Sequence, residues 1–189
     1  MDKVKVTFND REYEVPAGTT VLDAARLANI DIPTLCYLRE INEIGACRIC
    51  LVEVSEGGKP FRMVTSCVYP VSDGMVIKTD SPKIQKARKL NLELLLSNHN
   101  MDCLSCIRST NCELQKLCRD YGVTSSYFVG ERTKAAKDES SPSIVRDNTK
   151  CILCRRCVAA CHKVQAVGVI GAIIRGFDTE IGCAFESKL

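Results

Sequence analysis

The sequence has few of the residues from which large hydrophobic cores are built. Its 189 residues include no tryptophan, and aromatic residues make up only 5%. No apolar run is long enough to cross a bilayer, and the N-terminal stretch MDKVKVTFND lacks the apolar segment of a secretion signal. These absences predict small cores, no membrane span and a cytoplasmic location.

Motifs of nucleotide binding and of hydrolytic catalysis are also missing. The chain contains neither GxGxxG nor a P-loop, so we expect no nucleotide or flavin on it. It contains no HExxH motif and no Ser-His-Asp arrangement. The formal net charge of +3 comes without a basic stripe that carries interleaved aromatics, so nucleic acid is not expected as a partner.

Cysteine, in contrast, is abundant, with thirteen residues. The odd count, the many CxxC pairs and the lack of an export signal argue against a disulfide framework. CxxC pairs also occur in structural zinc sites, so a zinc-bound interaction module stays open as an alternative. Eleven of the cysteines fall, with one histidine, into three groups, whereas Cys118 and Cys183 lie outside them.

The first group has the composition of a [2Fe–2S] site and consists of Cys36, Cys47, Cys50 and Cys67. Such a centre is held by four thiolates, two on each iron. Eleven positions separate Cys36 from Cys47, a longer first gap than in plant-type ferredoxins. We therefore predict a [2Fe–2S] cluster in a domain that is not a plain plant ferredoxin.

The second group offers one imidazole and three thiolates, from His99, Cys103, Cys106 and Cys112. This set fits a [4Fe–4S] cluster with one nitrogen ligand. Replacing an anionic thiolate with a neutral imidazole should raise the reduction potential. Alternatively, His99 is a cation at the C-terminus of the preceding helix. The cysteine spacing that follows favours the ligand.

The third group is the run CILCRRCVAAC, which holds Cys151, Cys154, Cys157 and Cys161. In two-cluster bacterial ferredoxins the first three cysteines bind one [4Fe–4S] cluster and the fourth binds another. Cys161 is therefore either a ligand of a second cluster or the fourth ligand of the same one. In the first case the remaining ligands lie beyond Leu189, lie on another chain or are missing, unless Cys183 completes one site. We expect Cys118 to be a small buried hydrophobic residue.

Residues 1–80 are predicted to form a β-grasp [2Fe–2S] ferredoxin domain. Alternating residues at 4–8 and 12–15 flank an Asn-Asp turn pair and indicate a hairpin. Thr20 is the expected N-cap of a helix, with Asp23 at the return position of a capping box. Further strands are expected at 51–54, 63–65 and 75–78. Hairpin, helix, cysteine loop and more strands indicate an α+β fold.

Residues 81–130 are predicted to contain a helix followed by the His-ligated [4Fe–4S] segment. The helix should begin at Ser81-Pro82, because proline is favoured at the first helical position, and end near Ser97. We expect one face to contain Ile84, Ala87, Asn91, Leu94 and Leu95. A solvated side should contain Lys83, Lys86, Arg88 and Lys89.

The rest of the chain is predicted to be a linker and a partial ferredoxin-like domain. Residues 131–150 are polar and charged, which indicates a linker or surface loop. Residues 151–189 read as half of a two-cluster bacterial-ferredoxin-like domain, with a short helix at 155–163 and a strand at 169–174.

Three ordered segments carry a resemblance to a known family: GACRICLVEV, HNMDCLSCIRSTNCELQ and NTKCILCRRCVAACHKVQAVGVI. The chain resembles the N-terminal iron–sulfur region of [FeFe]-hydrogenase large subunits. It is similar as well to the start of the large iron–sulfur subunit of NADH dehydrogenase and to related formate dehydrogenases. The match, from about Val4 to Phe177, implies the ligands named above, one [2Fe–2S] cluster and two or more [4Fe–4S] clusters.

The resemblance implies that the chain transfers single electrons in a hetero-oligomeric oxidoreductase. We favour an iron–sulfur subunit of a flavin-based electron-bifurcating complex, between a flavin- and NAD(P)H-binding subunit and ferredoxin or a ferredoxin-reacting subunit. Alternatively, it is the N-terminal electron-input module of an [FeFe]-hydrogenase or formate dehydrogenase large subunit. The second cysteine run and catalytic domain of those hydrogenases are absent here, so we expect no catalytic site beyond electron transfer. Exposed [4Fe–4S] clusters are oxygen-sensitive, which favours an anaerobic host.

Overall fold

The computed structural model describes residues 2–133 and 137–186. The chain divides into two compact units. The first comprises the residues up to Tyr37 together with Glu43–Asn91, and the second comprises Leu38–Asn42 together with the chain from Leu92 onward. Within the described ranges, no helix has the length and apolar character that a membrane span requires.

The first unit contains five strands and a short helix: β1 (Lys3–Phe8), β2 (Arg11–Pro16), α1 (Val21–Leu27), β3 (Leu51–Ser55), β4 (Arg62–Thr65) and β5 (Met75–Lys78). The strands form one sheet in the order β2-β1-β5-β3-β4, in which β1 is parallel to β5 and the other pairs are antiparallel. This confirms the predicted β-grasp arrangement.

The core of the first unit lies on one face of this sheet. Val6 and Phe8 of β1 are in register with Met75 and Ile77 of β5, and none of the four is more than 1% exposed. Residues two apart on a strand share a face, so this register gives a continuous apolar surface. The buried residues of α1 belong to the same core.

Helix α1 is capped as predicted at Thr20, whose hydroxyl accepts the Asp23 amide N–H at 3.1 Å. The return bond differs from a capping box. The Asp23 carboxylate accepts hydrogen bonds from the Thr20 hydroxyl at 3.0 Å and from the Tyr37 hydroxyl at 3.1 Å. Asp23 thereby connects α1 to Tyr37, the residue that follows Cys36.

Helix α2 (Pro82–Ser97) begins at the predicted proline, and the face expected from its apolar residues was wrong in part. Buried positions recur every four residues, at Ile84, Arg88, Leu92 and Leu96, and Glu93 is buried as well, whereas Leu94 is 47% exposed. Positions three and four apart share one face of a helix, so half-buried Leu95 borders this face and Leu94 lies off it.

Arg88 was expected on the solvated side of α2, and this expectation was also wrong. Its side chain is 3% exposed. Its Nη2 donates to the carbonyl oxygens of Leu51 at 2.7 Å and Thr79 at 3.1 Å. A guanidinium tolerates burial when its donors meet acceptors, which sequence periodicity does not reveal.

The second unit is built from short elements: α3 (Glu113–Asp120), β6 (Lys137–Asp138), β7 (Arg146–Asp147), α4 (Arg156–Ala159), β8 (Ile170–Ile173) and β9 (Glu180–Cys183). β6 pairs with β7 and β8 pairs with β9, both antiparallel. The predicted linker therefore contains a small ladder, although its residues 134–136 lie outside the described residues. The predicted helix at 155–163 is α4 followed by a π-helical turn, Ala160–Val164.

Candidate metal centres

The first unit brings its four predicted cysteines into the interior. Cys36 follows α1, Cys47 and Cys50 precede β3, and Cys67 follows β4. None of the four is more than 8% exposed. Buried thiols that stay protonated are inert. Whether these four cysteines bind metal therefore depends on how they are grouped and on whether they lose their protons.

These cysteines form two pairs, each joined by a hydrogen bond between the thiols. The bond from Cys47 lowers the pKa of Cys36 to about 6 and raises the pKa of Cys47. The bond from Cys67 lowers the pKa of Cys50 to about 7 and raises the pKa of Cys67. A [2Fe–2S] centre needs two thiolates on each of two irons, and two pairs of thiols fit that requirement.

Backbone amides also point at these sulfurs. The amides of Ala46 and Cys47 donate to the Cys36 sulfur. The amide of Ile49 donates to Cys47. Hydrogen bonds to ligand sulfurs stabilise the anionic form and tune a bound metal centre.

The loop from residue 45 to residue 50 owes its shape to left-handed backbone and to side-chain contacts. Gly45 has a φ of +62°, and a Cβ there would lie 3.2 Å from Cγ2 of Thr65. Arg48 has a φ of 57° and donates from Nη1 to the Thr65 hydroxyl at 2.6 Å. Asn91 Nδ2 donates to the Arg48 carbonyl at 3.2 Å. The end of β4 and helix α2 thus fix the loop.

Three of the four residues of the second predicted group line a cavity of about 580 Å³ in the second unit. His99, Cys103 and Cys112 line it, whereas Cys106 is half-buried nearby in sequence. Cys112 is the N-cap of α3, and its sulfur accepts the Gln115 amide N–H at 3.4 Å. The Cys112 sulfur therefore lies at the N-terminus of α3 and on the wall of the cavity.

His99 is not arranged as a charged cap on α2. Burial, with a smaller effect of the Lys150 cation, lowers the pKa of the imidazole, so the ring is neutral at pH 7. Its Nδ1 is buried and has no hydrogen-bond partner among the described residues. Neutral imidazole is the metal-binding form, and the geometry therefore favours the ligand interpretation.

Cys118 is buried, as predicted, but its place was not foreseen. It lines the same cavity as Cys103 and Cys112. Burial raises its pKa to about 11, and the two neighbouring cysteines add to this shift. A neutral thiol is therefore part of the wall of the second site.

The third predicted group lies along a tight chain segment in the second unit. Cys151, Cys154 and Cys161 are half-buried and Cys157 is exposed. The Cys151 sulfur accepts the Leu153 amide N–H at 3.4 Å. The carbonyl of Cys154 accepts a hydrogen bond from Asn42 Nδ2 at 2.9 Å. Sequence reasoning missed Asn42 because 112 positions separate it from Cys154.

Cys161 has a surrounding of its own. Backbone amides of Ile170, Val169 and Gly168 donate to its sulfur and lower its pKa. Cys183 is buried on β9, opposite Ile170 of β8. The choice between one shared cluster and two clusters for Cys161, and the ligand role of Cys183, stay predictions.

Two contacts join the second and third sites. The Asn100 amide donates to the Thr149 carbonyl at 2.8 Å. Asn100 directly follows His99, and Thr149 lies two residues before Cys151. Arg156 Nη1 binds the Glu113 carboxylate, and these residues adjoin Cys157 and Cys112. The two candidate centres are therefore neighbours.

Within residues 2–133 and 137–186, no three His, Cys, Asp or Glu side chains converge closely enough to hold one ion. Structural zinc needs four ligands about 2.0–2.3 Å from one point. A cluster distributes its ligands over several irons, so it does not need such convergence.

Three family models match successive parts of the chain. The "2Fe-2S iron-sulfur cluster binding domain" matches residues 1–82. The "NADH-ubiquinone oxidoreductase-G iron-sulfur binding region" matches residues 88–126. The "NADH-quinone oxidoreductase subunit 3, ferredoxin-like domain" matches residues 141–189. The three matches follow the order of the three candidate centres.

Whole-chain comparisons agree with these models. The chain is 43% identical to the NADP-reducing hydrogenase subunit HndD of Solidesulfovibrio fructosivorans, over 100% of this chain and 33% of that protein. It is 37% identical to the mitochondrial NADH dehydrogenase [ubiquinone] iron-sulfur protein 1 of Solanum tuberosum, over 100% of this chain and 25% of that protein. The chain thus spans a third or less of these two relatives.

A solved structure extends the similarity to the fold. A chain of the NAD⁺-reducing [NiFe]-hydrogenase in the H₂-reduced state matches with a TM-score of 0.87 and 30% identity. The match covers 96% of this chain and 75% of that chain.

Proposed function

Because the chain belongs to the family of iron–sulfur electron-transfer proteins found in NADH dehydrogenases and NAD-reducing hydrogenases, we propose that its three sites relay single electrons. Iron–sulfur clusters take up and release electrons one at a time. The chain's own residues hold the clusters, set their potentials and place the second and third close to one another. The contacts between the second and third sites carry this proposal.

The proposed ligands follow from the groups described above. Cys36 and Cys47 hold one iron of a [2Fe–2S] cluster, and Cys50 and Cys67 hold the other, as their pairing suggests. Three cysteines and the imidazole of His99 hold the second cluster, a [4Fe–4S] centre beside the 580 Å³ cavity. The ligands of the third cluster, also [4Fe–4S], include Cys151, Cys154 and Cys157.

The neighbouring positions of the second and third sites support transfer between them. The Asn100–Thr149 hydrogen bond and the Glu113–Arg156 ion pair each lie one or two residues from proposed ligands on both sides. Short connections of this kind hold two centres at a fixed separation, and each centre keeps its own ligand set. A fixed, short separation is what a one-electron relay needs.

The partners that we propose are a flavin- and NAD(P)H-binding subunit on one side and ferredoxin or a ferredoxin-reacting subunit on the other. This assignment makes the chain an iron–sulfur subunit of a flavin-based electron-bifurcating complex in the cytoplasm of an anaerobe. The NAD(P)H-binding partner is supported by two relatives, whose names include reduction of NADP and dehydrogenation of NADH. A second candidate is the electron-input module of a hydrogenase large subunit, favoured by the 43% identity with HndD over the whole chain.

Metal analysis tests the claim that both candidate functions share, namely that the chain holds iron–sulfur clusters. The complex that contains this chain is isolated anaerobically, and its iron, acid-labile sulfide and zinc are measured. We expect iron and sulfide, with EPR signals of one [2Fe–2S] and at least one [4Fe–4S] centre after reduction. Stoichiometric zinc without iron or sulfide would reject the relay.

Reduction by natural donors tests the partners. The isolated complex is mixed with NADH or NADPH, with and without oxidised ferredoxin, and cluster bleaching is followed by absorbance. For the bifurcating complex we expect a flavin in the preparation and ferredoxin reduction that depends on a second, high-potential acceptor. Hydrogen evolution from reduced ferredoxin alone would favour the hydrogenase module. Absence of cluster reduction by either nucleotide would contradict both assignments.

A further inference from the structure

Asn42 is a buried polar residue whose side chain contacts the loop of the third candidate centre. It is 2% exposed and lies at the end of the turn Leu38–Asn42. Its Nδ2 donates to the carbonyl oxygen of Cys154 at 2.9 Å. Burying a carboxamide is costly unless it is hydrogen-bonded, so its partner on a candidate ligand indicates a role at that ligand.

The turn that carries Asn42 is held by backbone hydrogen bonds that do not depend on its side chain. The Leu38 amide donates to the Asn42 carbonyl at 3.0 Å, and the Asn42 amide donates to the Leu38 carbonyl at 2.7 Å. The Glu40 carbonyl accepts a hydrogen bond from Lys163 Nζ at 3.5 Å, two residues after Cys161. The turn therefore contacts the third cysteine run at two places, and Asn42 is presented to Cys154 by a fixed backbone.

The backbone on both sides of Cys154 has an unfavourable conformation. Leu153 has a φ of 53° and Arg155 has a φ of 58°, in the left-handed region that residues other than glycine seldom occupy. In this conformation the Leu153 amide donates to the Cys151 sulfur at 3.4 Å. Such conformations persist only where surrounding contacts hold them. The hydrogen bond from Asn42 meets the carbonyl of the residue between these two, where it can hold the loop.

We propose that Asn42 is a positioning residue of the third centre, whose amide holds the Cys154 carbonyl and thereby keeps the Cys154 sulfur oriented to bind the [4Fe–4S] cluster. The inference rests on the proposed function, because it requires a cluster at the third site. Loss of a residue that holds a metal ligand in place typically lowers metal affinity by about 10–100-fold. Asn42 acts on the backbone of the ligand and not on its sulfur, so we expect the lower end of this range.

A role for Asn42 that is limited to filling space makes a different prediction. In that case an apolar residue of the same shape is tolerated, and a residue of another shape destabilises every site of the second unit alike. In the proposed role the hydrogen bond is what matters. Its loss affects the third cluster and leaves the second cluster, which has its own ligands, unchanged.

The test measures how fast each cluster is lost to an iron(II) chelator in the anaerobically isolated complex, by EPR after reduction. The signal of the third cluster is identified as the one lost in Cys154→Ala. Asn42→Leu keeps the branched shape of asparagine but cannot donate, so we expect the third cluster to be lost about tenfold faster. Asn42→Asp has the same shape and places a carboxylate against the carbonyl, so we expect at least as large an effect. The EPR line shape of the remaining third cluster should also change, because the Cys154 sulfur is reoriented.

The controls are another side chain of the same turn and a matched pair at position 42. Arg39→Leu replaces a side chain that is 73% exposed and should leave both rates at the wild-type value. Asn42→Gln and Asn42→Met have the same length, but only glutamine can donate. The third cluster should therefore survive longer in Asn42→Gln than in Asn42→Met. This pair decides the question if Asn42→Leu does not assemble.

Three results would overturn the inference. The first is a rate of third-cluster loss in Asn42→Leu equal to that in Arg39→Leu. The second is equal acceleration of the loss of the second and third clusters, and the third is equal survival in Asn42→Gln and Asn42→Met. All three leave the proposed function intact, because the wild-type protein still contains the cluster. If Cys154→Ala removes neither iron nor an EPR signal, the cluster assignment itself fails.

Discussion

Replacing Arg88 with methionine tests whether a buried cation stabilises the loop of the first centre. The Arg88 Nη2 donates to the carbonyl of Leu51, the residue directly after Cys50, and to the carbonyl of Thr79, the residue directly after β5. Methionine retains an unbranched apolar side chain but cannot donate. The substitution therefore leaves two carbonyls without their charged donor and keeps most of the packing.

The expected loss of stability follows from these two hydrogen bonds. A hydrogen bond from a charged group contributes about 1.5–3 kcal/mol, so two contribute about 3–6 kcal/mol. Methionine no longer carries the cost of burying a guanidinium, which offsets part of the loss. We expect a net decrease of about 2–4 kcal/mol in the free energy of unfolding. With a urea dependence of about 2 kcal/mol per molar, the midpoint should fall by about 1–2 M.

The assay is anaerobic urea unfolding followed by far-UV circular dichroism and by visible absorbance of the cluster. Midpoints are compared between variants, because cluster loss makes the transition irreversible. Lys89→Met is the matched control, since it removes a cation from an exposed position next to Arg88 on α2. The reasoning is refuted if Arg88→Met lowers the midpoint no more than Lys89→Met does.

Three further substitutions probe the candidate centres. His99→Cys should keep the second cluster but lower its potential, because an anionic ligand replaces a neutral one; an unchanged potential in a redox titration would exclude His99 as a ligand. Cys47→Ala should abolish the [2Fe–2S] EPR signal and destabilise the first unit, whose small core depends on metal, and a retained signal would contradict the assignment. Gly45→Ala combines a φ of +62° with a contact of 3.2 Å to Thr65, so we expect a loss of about 1–3 kcal/mol by urea unfolding. Gly57→Ala has a φ of +58° and no neighbour within 4 Å, so the difference between the two losses of stability measures the steric contact with Thr65. Equal losses in the two variants would show that this contact contributes nothing.

The strands and the first helix of the first unit could be predicted from its sequence. Alternating strands and the Asn9-Asp10 turn specify the hairpin, and Thr20 specifies the start of α1. These signals are local, because they depend on side-chain periodicity and turn geometry within a few residues. The candidate ligands rest on the identity and spacing of the cysteines, and their assignment stays a prediction.

Long-range polar contacts could not be predicted in the same way. Arg88 looks like a surface cation in the sequence, and only the carbonyls of Leu51 and Thr79, which are distant in the sequence, explain its burial. The buried face of α2 was misjudged for the same reason, because Arg88 occupies one of its positions. Cys118 was expected to be buried, but its place beside the second site depends on the position of α3 along the cavity.

The turn Leu38–Asn42 has a consequence for how such chains can be recombined. It is encoded among residues of the first unit but belongs to the second, where Asn42 supports the carbonyl of Cys154. A gene fragment that starts at Leu92 would encode the second unit without this support. Exchange of the front module between homologous genes must therefore bring along a matching turn, or the incoming module will leave the third site with an unsupported loop.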